Sequence, residues 1–461
     1  MKAALIHTYK KSLTAGWIVA FTVLFSCNNL LEPEPIDLLT DEIVLNEPND
    51  VPLVEIGLYN AFRPIIPSMV IAGDFTADML QHNGTFSQYR ELGTKQITSA
   101  NASVSALWGY IYNTVYIANF IIERLPAVPG VRTPDRDRVM GTAYFLRGYA
   151  YFVALQTFGG VPKVTGTSIE ENRNIPRASV AEIIELIESD FASAQNKLPA
   201  SPINAGYAGA QALNAALAKY HLYRSNWALA EGFASAVISS GLYQLETNFA
   251  TIVNTDFTRE AIFEMGYTLN DDPGSNSTIG LNNLFVGRRE IIPSNQTVLA
   301  LSSSESGDRF ATISFNANNL KGTDNGWSVA KYGTADANNN NVIVFRLAEM
   351  YLIRAEARAR QGNVSGANSA TTDLNVLRSR AHAPTVTSPS QSQMILLLES
   401  ERIYELAYEG HRWYDLVRTD RASTVMPAFN SNWRQAYERW PIPQREIQSN
   451  PALAGNQNPG Y

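Results

Sequence analysis

The chain of 461 residues contains a single cysteine, Cys27, so no internal disulfide can form. Its five histidines, His7, His82, His221, His382 and His411, are scattered without metal-ligand spacing, which argues against a metal centre. HExxH, GxSxG, GxGxxG and GxxxxGK are all missing, and with them the signatures of zinc proteases, serine hydrolases, dinucleotide binders and P-loop proteins. Basic charge is also in deficit. The net charge is -7 even though Lys2, Lys10 and Lys11 stand near the start, which argues against a nucleic-acid partner. Beyond the first 26 residues no apolar run reaches the ~20 residues needed to span a bilayer. No catalytic residue, metal or cofactor is therefore expected.

What is present begins with the stretch MKAALIHTYKKSLTAGWIVAFTVLFSC. Three lysines precede an uncharged, mostly apolar run over residues 13–26 that is short for a membrane span, so residues 1–26 read as a secretory signal. Cys27 directly follows LFS, a pattern that resembles the lipobox of bacterial lipoproteins. That resemblance implies a lipidated Cys27, and more than one acyl chain there would anchor the protein stably. Residues 27–48, with Pro33, Pro35 and several acids, read as a tether. The body then runs over 49–461, with an N-terminal part of about 49–243 and a C-terminal part of about 244–461.

From residue 101 the chain shows helices with readable ends. Thr133 is expected as an N-cap with Pro134 behind it, and Gly159-Gly160 as the stop. Ser179 and Glu182 form a capping box ahead of the stripe Ile183, Leu186, Ile187 and Phe191. Two segments read as helix pairs. Ala212, Ala216, Tyr220 and Tyr223 stripe one helix, a short turn follows, and a partner helix closes at Gly241. Leu347, Tyr351 and Ala355 stripe another, with Ala367, Ala370, Leu374 and Leu377 on its partner. Small residues at facing positions allow close approach of the kind seen in tetratricopeptide-type pairs. The expected fold is an α superhelix.

Residues 68–100 and 244–341 break this pattern. Rich in Gly, Asn, Asp, Ser and Thr and without a sustained period, they are expected to be long irregular ligand-binding loops with only minor short strands. The stretch EGHRWYDLVR, residues 409–418, carries enough polar groups to suggest an active site. However, Tyr404, Ala407, Tyr408, Trp413, Leu416 and Val417 form an apolar stripe around it, and Arg412, Asp415 and Arg418 fall at pairing distance. It reads as framework, with Trp413 in the core. Glu401, Glu405 and Glu409 recur every four residues and are the only candidates for the paired carboxylates of a glycosidase. An arginine-paired face explains them equally well.

Taken in order, FLRGYAYFVALQTFGGVPKV (145–164), FRLAEMYLIRAEARARQGN (345–363), ERIYELAYEGHRWYDLVRTD (401–420) and RWPIPQREIQSNPALAGNQNPGY (439–461) resemble the SusD/RagB family. These are surface lipoproteins coupled to TonB-dependent outer-membrane transporters in Bacteroidetes-type bacteria. The resemblance implies an all-α, tetratricopeptide-like fold at the cell surface, a SusC-like transporter partner and an oligosaccharide ligand. A peptide ligand is the alternative, and a surface glycosidase a more distant one. The family's ligand-contacting loops vary, so no binding residue transfers from a fixed motif.

Sugar rings lie on aromatic faces and need fixed polar partners for their hydroxyls. The first irregular region offers His82, Asn83, Phe86, Tyr89 and Arg90; the second offers Phe285, Arg288, Arg289 and Trp327. Phe86, Tyr89 and Phe285 are expected as solvent-facing platforms and Arg288 as a hydroxyl partner. Each has a structural alternative: Phe86 and Tyr89 as loop anchors, Trp327 as part of a short buried strand. Trp108, Trp227, Trp413 and Trp440 are assigned to the core.

Overall fold

The computed structural model describes residues 45–267, 280–333 and 340–461. The signal segment, Cys27 and residues 27–44 of the tether lie outside the described residues. The chain runs through α1 (Val51–Phe62), α2 (Ile65–Val70), β1 (Leu80–His82), α3 (Ser87–Thr94), α4 (Ala102–Arg124) and α5 (Thr133–Phe158). It continues through α6 (Val180–Ala194), α7 (Ala210–Tyr223), α8 (Trp227–Ser239), β2 (Ala261–Met265), β3 (Ile291–Pro293), β4 (Ile313–Phe315), β5 (Trp327–Val329) and β6 (Val342–Arg346). A helical C-terminal part follows, with α9 (Leu347–Arg360), α10 (Ala370–Arg380), α11 (Gln391–Glu405) and α12 (Arg412–Arg418). None of the helices among the described residues is long and apolar enough to cross a membrane.

The helix ends follow local rules. Ser179 accepts from Glu182 N while the Glu182 carboxylate returns to Ser179 N, the expected capping box. Gly159 ends α5 at φ +80°, and Thr133 turns out to be the first helical residue of α5, one past its expected cap position. The expected pairs form: α7 packs on α8 and α9 on α10, while α8 also packs on α9, so pair stacks on pair. The fold is the all-α superhelix expected. At its centre Phe62, Tyr149, Phe263 and Phe345 interlock, with the Tyr149 and Phe345 rings 5.3 Å apart edge to face.

The two irregular regions hold more order than their composition suggests. β1 pairs antiparallel with β3, with His82 opposite Ile291, and β2 pairs with β6 and β4 with β5. Helix α3, only eight residues long, was too short to show a period in the sequence.

The framework reading of residues 409–418 holds. Trp413 is buried on α12, and Gly410, at φ +82°, lets the backbone press against Gly73, where an added Cβ would lie 2.1 Å from Gly410 O. Asp74 caps this junction, accepting from Gly410 N at 2.7 Å and Arg412 N at 3.1 Å. Arg418 pairs with Asp415 as expected, whereas Arg412 turns instead to Asp78 and Glu399, because tertiary neighbours outcompete the local partner. His411 is buried between Lys219 and Glu349; burial and the Lys219 charge keep it neutral.

The three spaced carboxylates belong to a buried ion network. Arg346 reaches Glu260 at 3.1 Å, Glu405 at 2.7 Å and Glu409 at 3.0 Å, Arg309 reaches Glu405 at 2.7 Å and also Glu401, and Lys331 reaches Glu409 at 2.6 Å. Burial alone would raise the Glu405 carboxyl, but Arg380, Arg346 and Arg309 hold it well below the usual carboxylate range. Carboxylates so committed are not facing one another across a cleft.

Candidate functional site

A cavity of about 350 Å³ opens beside the first helices. Its wall draws on widely separated segments: Asn60 and Arg63 around the end of α1, Tyr89 on α3, Tyr110 on α4, Tyr267 beyond β2, Asn282 and Leu284, Tyr332, Asn340 and Val342, and Trp440. Five aromatic side chains thus surround one space, with amides and the Ser68 and Ser103 hydroxyls between them. Arg63 is the single charged side chain among the described lining residues, and its guanidinium lies 5.0 Å from the Tyr267 ring centre. An apolar concavity with a few convergent polar groups is the form that small-molecule and oligosaccharide sites take.

The aromatic groups are held from behind. Tyr332 donates its hydroxyl to Tyr408 O at 2.5 Å, which ties the pocket wall to the framework stretch, and Asn282 donates to Tyr332 O at 2.7 Å. Trp440 donates from Nε1 to Thr76 Oγ1 at 3.0 Å and from its backbone N to Thr157 O at 2.8 Å. The Tyr267 backbone N donates to Asn341 Oδ1 at 2.9 Å. Burial pushes the Tyr89 and Tyr332 hydroxyls above the usual phenol range, so both stay neutral hydrogen-bonding groups. Among the described residues no group of three or more His, Cys, Asp and Glu side chains could hold a metal ion.

The residues expected from the sequence fall into different places. Tyr89 is only 5% exposed, so it is not an open platform; it faces the cavity from α3. Phe285 is 0% exposed and stacks on Tyr332 with ring centres 6.1 Å apart. It is a core residue behind the wall, because an apolar ring next to a paired strand is drawn inward. Phe86 and Arg288 do meet at the surface: the exposed Arg288 guanidinium lies 4.4 Å from the half-buried Phe86 ring centre. Phe86 is also 6.2 Å from the Tyr89 ring, which makes this pair continuous with the pocket wall.

His82 is half-buried on β1, and burial lowers its pKa; Arg90 is exposed on α3. Asn83 and Arg289 both bind Asp324 and so bind each other's loops. Trp327 is half-buried on β5 between Phe310 and Phe315, at 5.6 and 5.1 Å, on a patch distinct from the cavity.

Sequence reasoning missed Tyr110, Tyr267 and Tyr332. Tyr110 lies within a 23-residue helix, outside the two irregular regions in which ligand contacts were sought. Trp440 was assigned to the core; it is buried, yet it also lines the pocket.

Comparison with known proteins agrees with this architecture. The profile of the SusD family matches residues 312–461, and a second profile, described as starch-binding associating with outer membrane, matches residues 63–222. SusD-like protein P38 of Formosa agariphila is 25% identical, with 96% of this chain and 98% of that protein covered. Among solved structures, a laminarin-binding SusD-like protein superposes with a TM-score of 0.75 at 23% identity, covering 90% of this chain and 100% of that one. Surface glycan-binding protein A of Bacteroides fluxus superposes with a TM-score of 0.73 at 22% identity, covering 89% and 99%.

Proposed function

The chain belongs to the SusD/RagB family, and on that premise we propose that it captures oligosaccharides at the outer surface of the cell and passes them to a SusC-like TonB-dependent transporter. It works as a binding protein without turnover, held at the outer membrane through lipid on Cys27. The observation that carries the reading is the cavity in which Tyr89, Tyr110, Tyr267, Tyr332 and Trp440 surround one space with Asn60, Asn282 and Asn340 between them. Aromatic faces suit the C–H faces of sugar rings, and amides offer both donors and acceptors to vicinal hydroxyls. The laminarin-binding and glycan-binding names of two structural relatives point the same way. Phe86 with Arg288 extends the site outward from Tyr89, with His82 and Arg90 close by in the chain.

The test is calorimetric titration against laminarin-derived and starch-derived oligosaccharides. Tyr110→Ala and Tyr267→Ala each remove an aromatic wall worth about 1 kcal/mol, so affinity for the best ligand falls roughly 5- to 10-fold. Both residues are half-buried, and thermal stability changes little. Unchanged affinity in both variants removes the pocket from the reading; binding of peptides and of no oligosaccharide replaces the ligand class. Anchoring has its own check. Metabolic labelling with a fatty-acid probe marks the wild type and not Cys27→Ala, and equal labelling of both ends that part of the proposal.

A further inference from the structure

A second cavity, of about 150 Å³, lies under the framework stretch and shares no lining residue with the aromatic pocket. Its wall is charged. Arg402 on α11 donates from Nε to Asp415 Oδ2 at 2.6 Å, yet its Nη1 and Nη2 are buried without a hydrogen-bond partner, and the residue is 5% exposed. Arg360 at the end of α9 also lines the cavity, and its Nε is likewise buried and unpartnered. Leaving such donors dry costs free energy, so a buried guanidinium with two open nitrogens calls for an acceptor.

The wall's carboxylates are already committed, and the one ion pair they make with Arg360, from its Nη2 to Glu356 Oε1, is long at 3.7 Å. Both Glu356 oxygens accept from Arg418, at 2.7 Å each. Glu399 accepts from Arg412 at 3.2 Å and Arg421 at 2.9 Å. Asp415 accepts from Arg402 and, at 2.8 Å, from Arg418, and Asp74 accepts from the Gly410 and Arg412 backbone. Every carboxylate oxygen of the cavity is thus engaged while guanidinium donors remain. A missing partner that is negative, compact and rich in acceptors completes the set. The space exceeds the ~30 Å³ share of one water several-fold, enough for one tetrahedral or planar oxoanion. Partly exposed Glu399, Thr419 and Arg421 stand at its edge and give access.

We propose that this cavity binds a single small oxoanion, a carboxylate, sulfate or phosphate group, held by Nη1 and Nη2 of Arg402 with Arg360 beside it. The ion bridges α9 and α11, so its occupancy stiffens the framework behind the ligand pocket.

The experiment titrates the purified protein with inorganic phosphate at constant ionic strength set by chloride, by calorimetry, and soaks crystals with selenate for anomalous density. Saturable phosphate binding is expected, with affinity at least 10-fold weaker in Arg402→Met and about 3-fold weaker in Arg360→Gln, and a selenium peak between the two arginines. Displacement of phosphate by glucuronate identifies a sugar carboxylate as a source, whereas phosphate binding that glucuronate leaves untouched identifies the free ion. If Arg402→Met fails to fold, Arg360→Gln and the selenate density decide. Absence of saturable phosphate binding, or density showing only water shared by Arg402 and the unpartnered Tyr223 hydroxyl, overturns the proposal.

Discussion

Trp413→Ala loses ~3 to 5 kcal/mol of folding stability, the usual cost of emptying a buried tryptophan site. The side chain is 2% exposed on α12, inside the main core and away from the aromatic cavity. In a body of this size the loss lowers the midpoint of thermal unfolding by on the order of 5 °C. Differential scanning calorimetry measures it, and oligosaccharide titration at a temperature where the variant remains folded gives wild-type affinity. Retained stability with lost affinity would instead make residues 409–418 a ligand site.

Arg346→Met has an effect as large, with an electrostatic signature. Arg346 is fully buried and holds Glu260, Glu405 and Glu409 at once, with a further bond to the Glu405 carbonyl oxygen. Removing it strands carboxylates in the interior, which typically costs ~3 to 5 kcal/mol. The pH dependence separates this from a packing loss. In the wild type Glu405 and Glu409 are depressed below their ordinary values, against the opposing pull of burial. Their contribution is therefore fully present above the unfolded carboxylate range near pH 4.5 and disappears as pH falls through the folded values. In Arg346→Met, Arg380 and Arg309 still face Glu405 and Lys331 still faces Glu409, but one offsetting charge is lost, so both carboxyls titrate higher than in the wild type. The gap in unfolding midpoint between wild type and variant therefore widens as pH rises from the depressed wild-type values through the higher values of the variant. A gap independent of pH would mean that Arg346 acts by packing alone.

Much of the frame could be read from local signals. The capping box at Ser179, the stop at Gly159 and the pairing of α7 with α8 and α9 with α10 depend on residues a few positions apart, so the sequence displays them directly. The ligand site was legible only in part. The two irregular regions meet through the β1–β3 pair, but the aromatic residues sorted differently from their apparent exposure. Tyr89 belongs to an eight-residue helix too short to show a period and turns inward, and Phe285 became a support for Tyr332.

By itself the sequence determined the all-α class, the ends of several helices, the framework role of Trp413 and the resemblance to the SusD/RagB family. Each of these is encoded in spacing, caps or apolar stripes within one stretch of chain. Only the tertiary structure decided which aromatic residues share a cavity, and which guanidinium serves which carboxylate. Tyr89, Tyr110, Tyr267, Tyr332 and Trp440 come from segments spread over most of the body, and Arg346 and Glu405 are 59 positions apart. Burial and pairing at such separations depend on where the whole chain folds back, and no local periodicity records that.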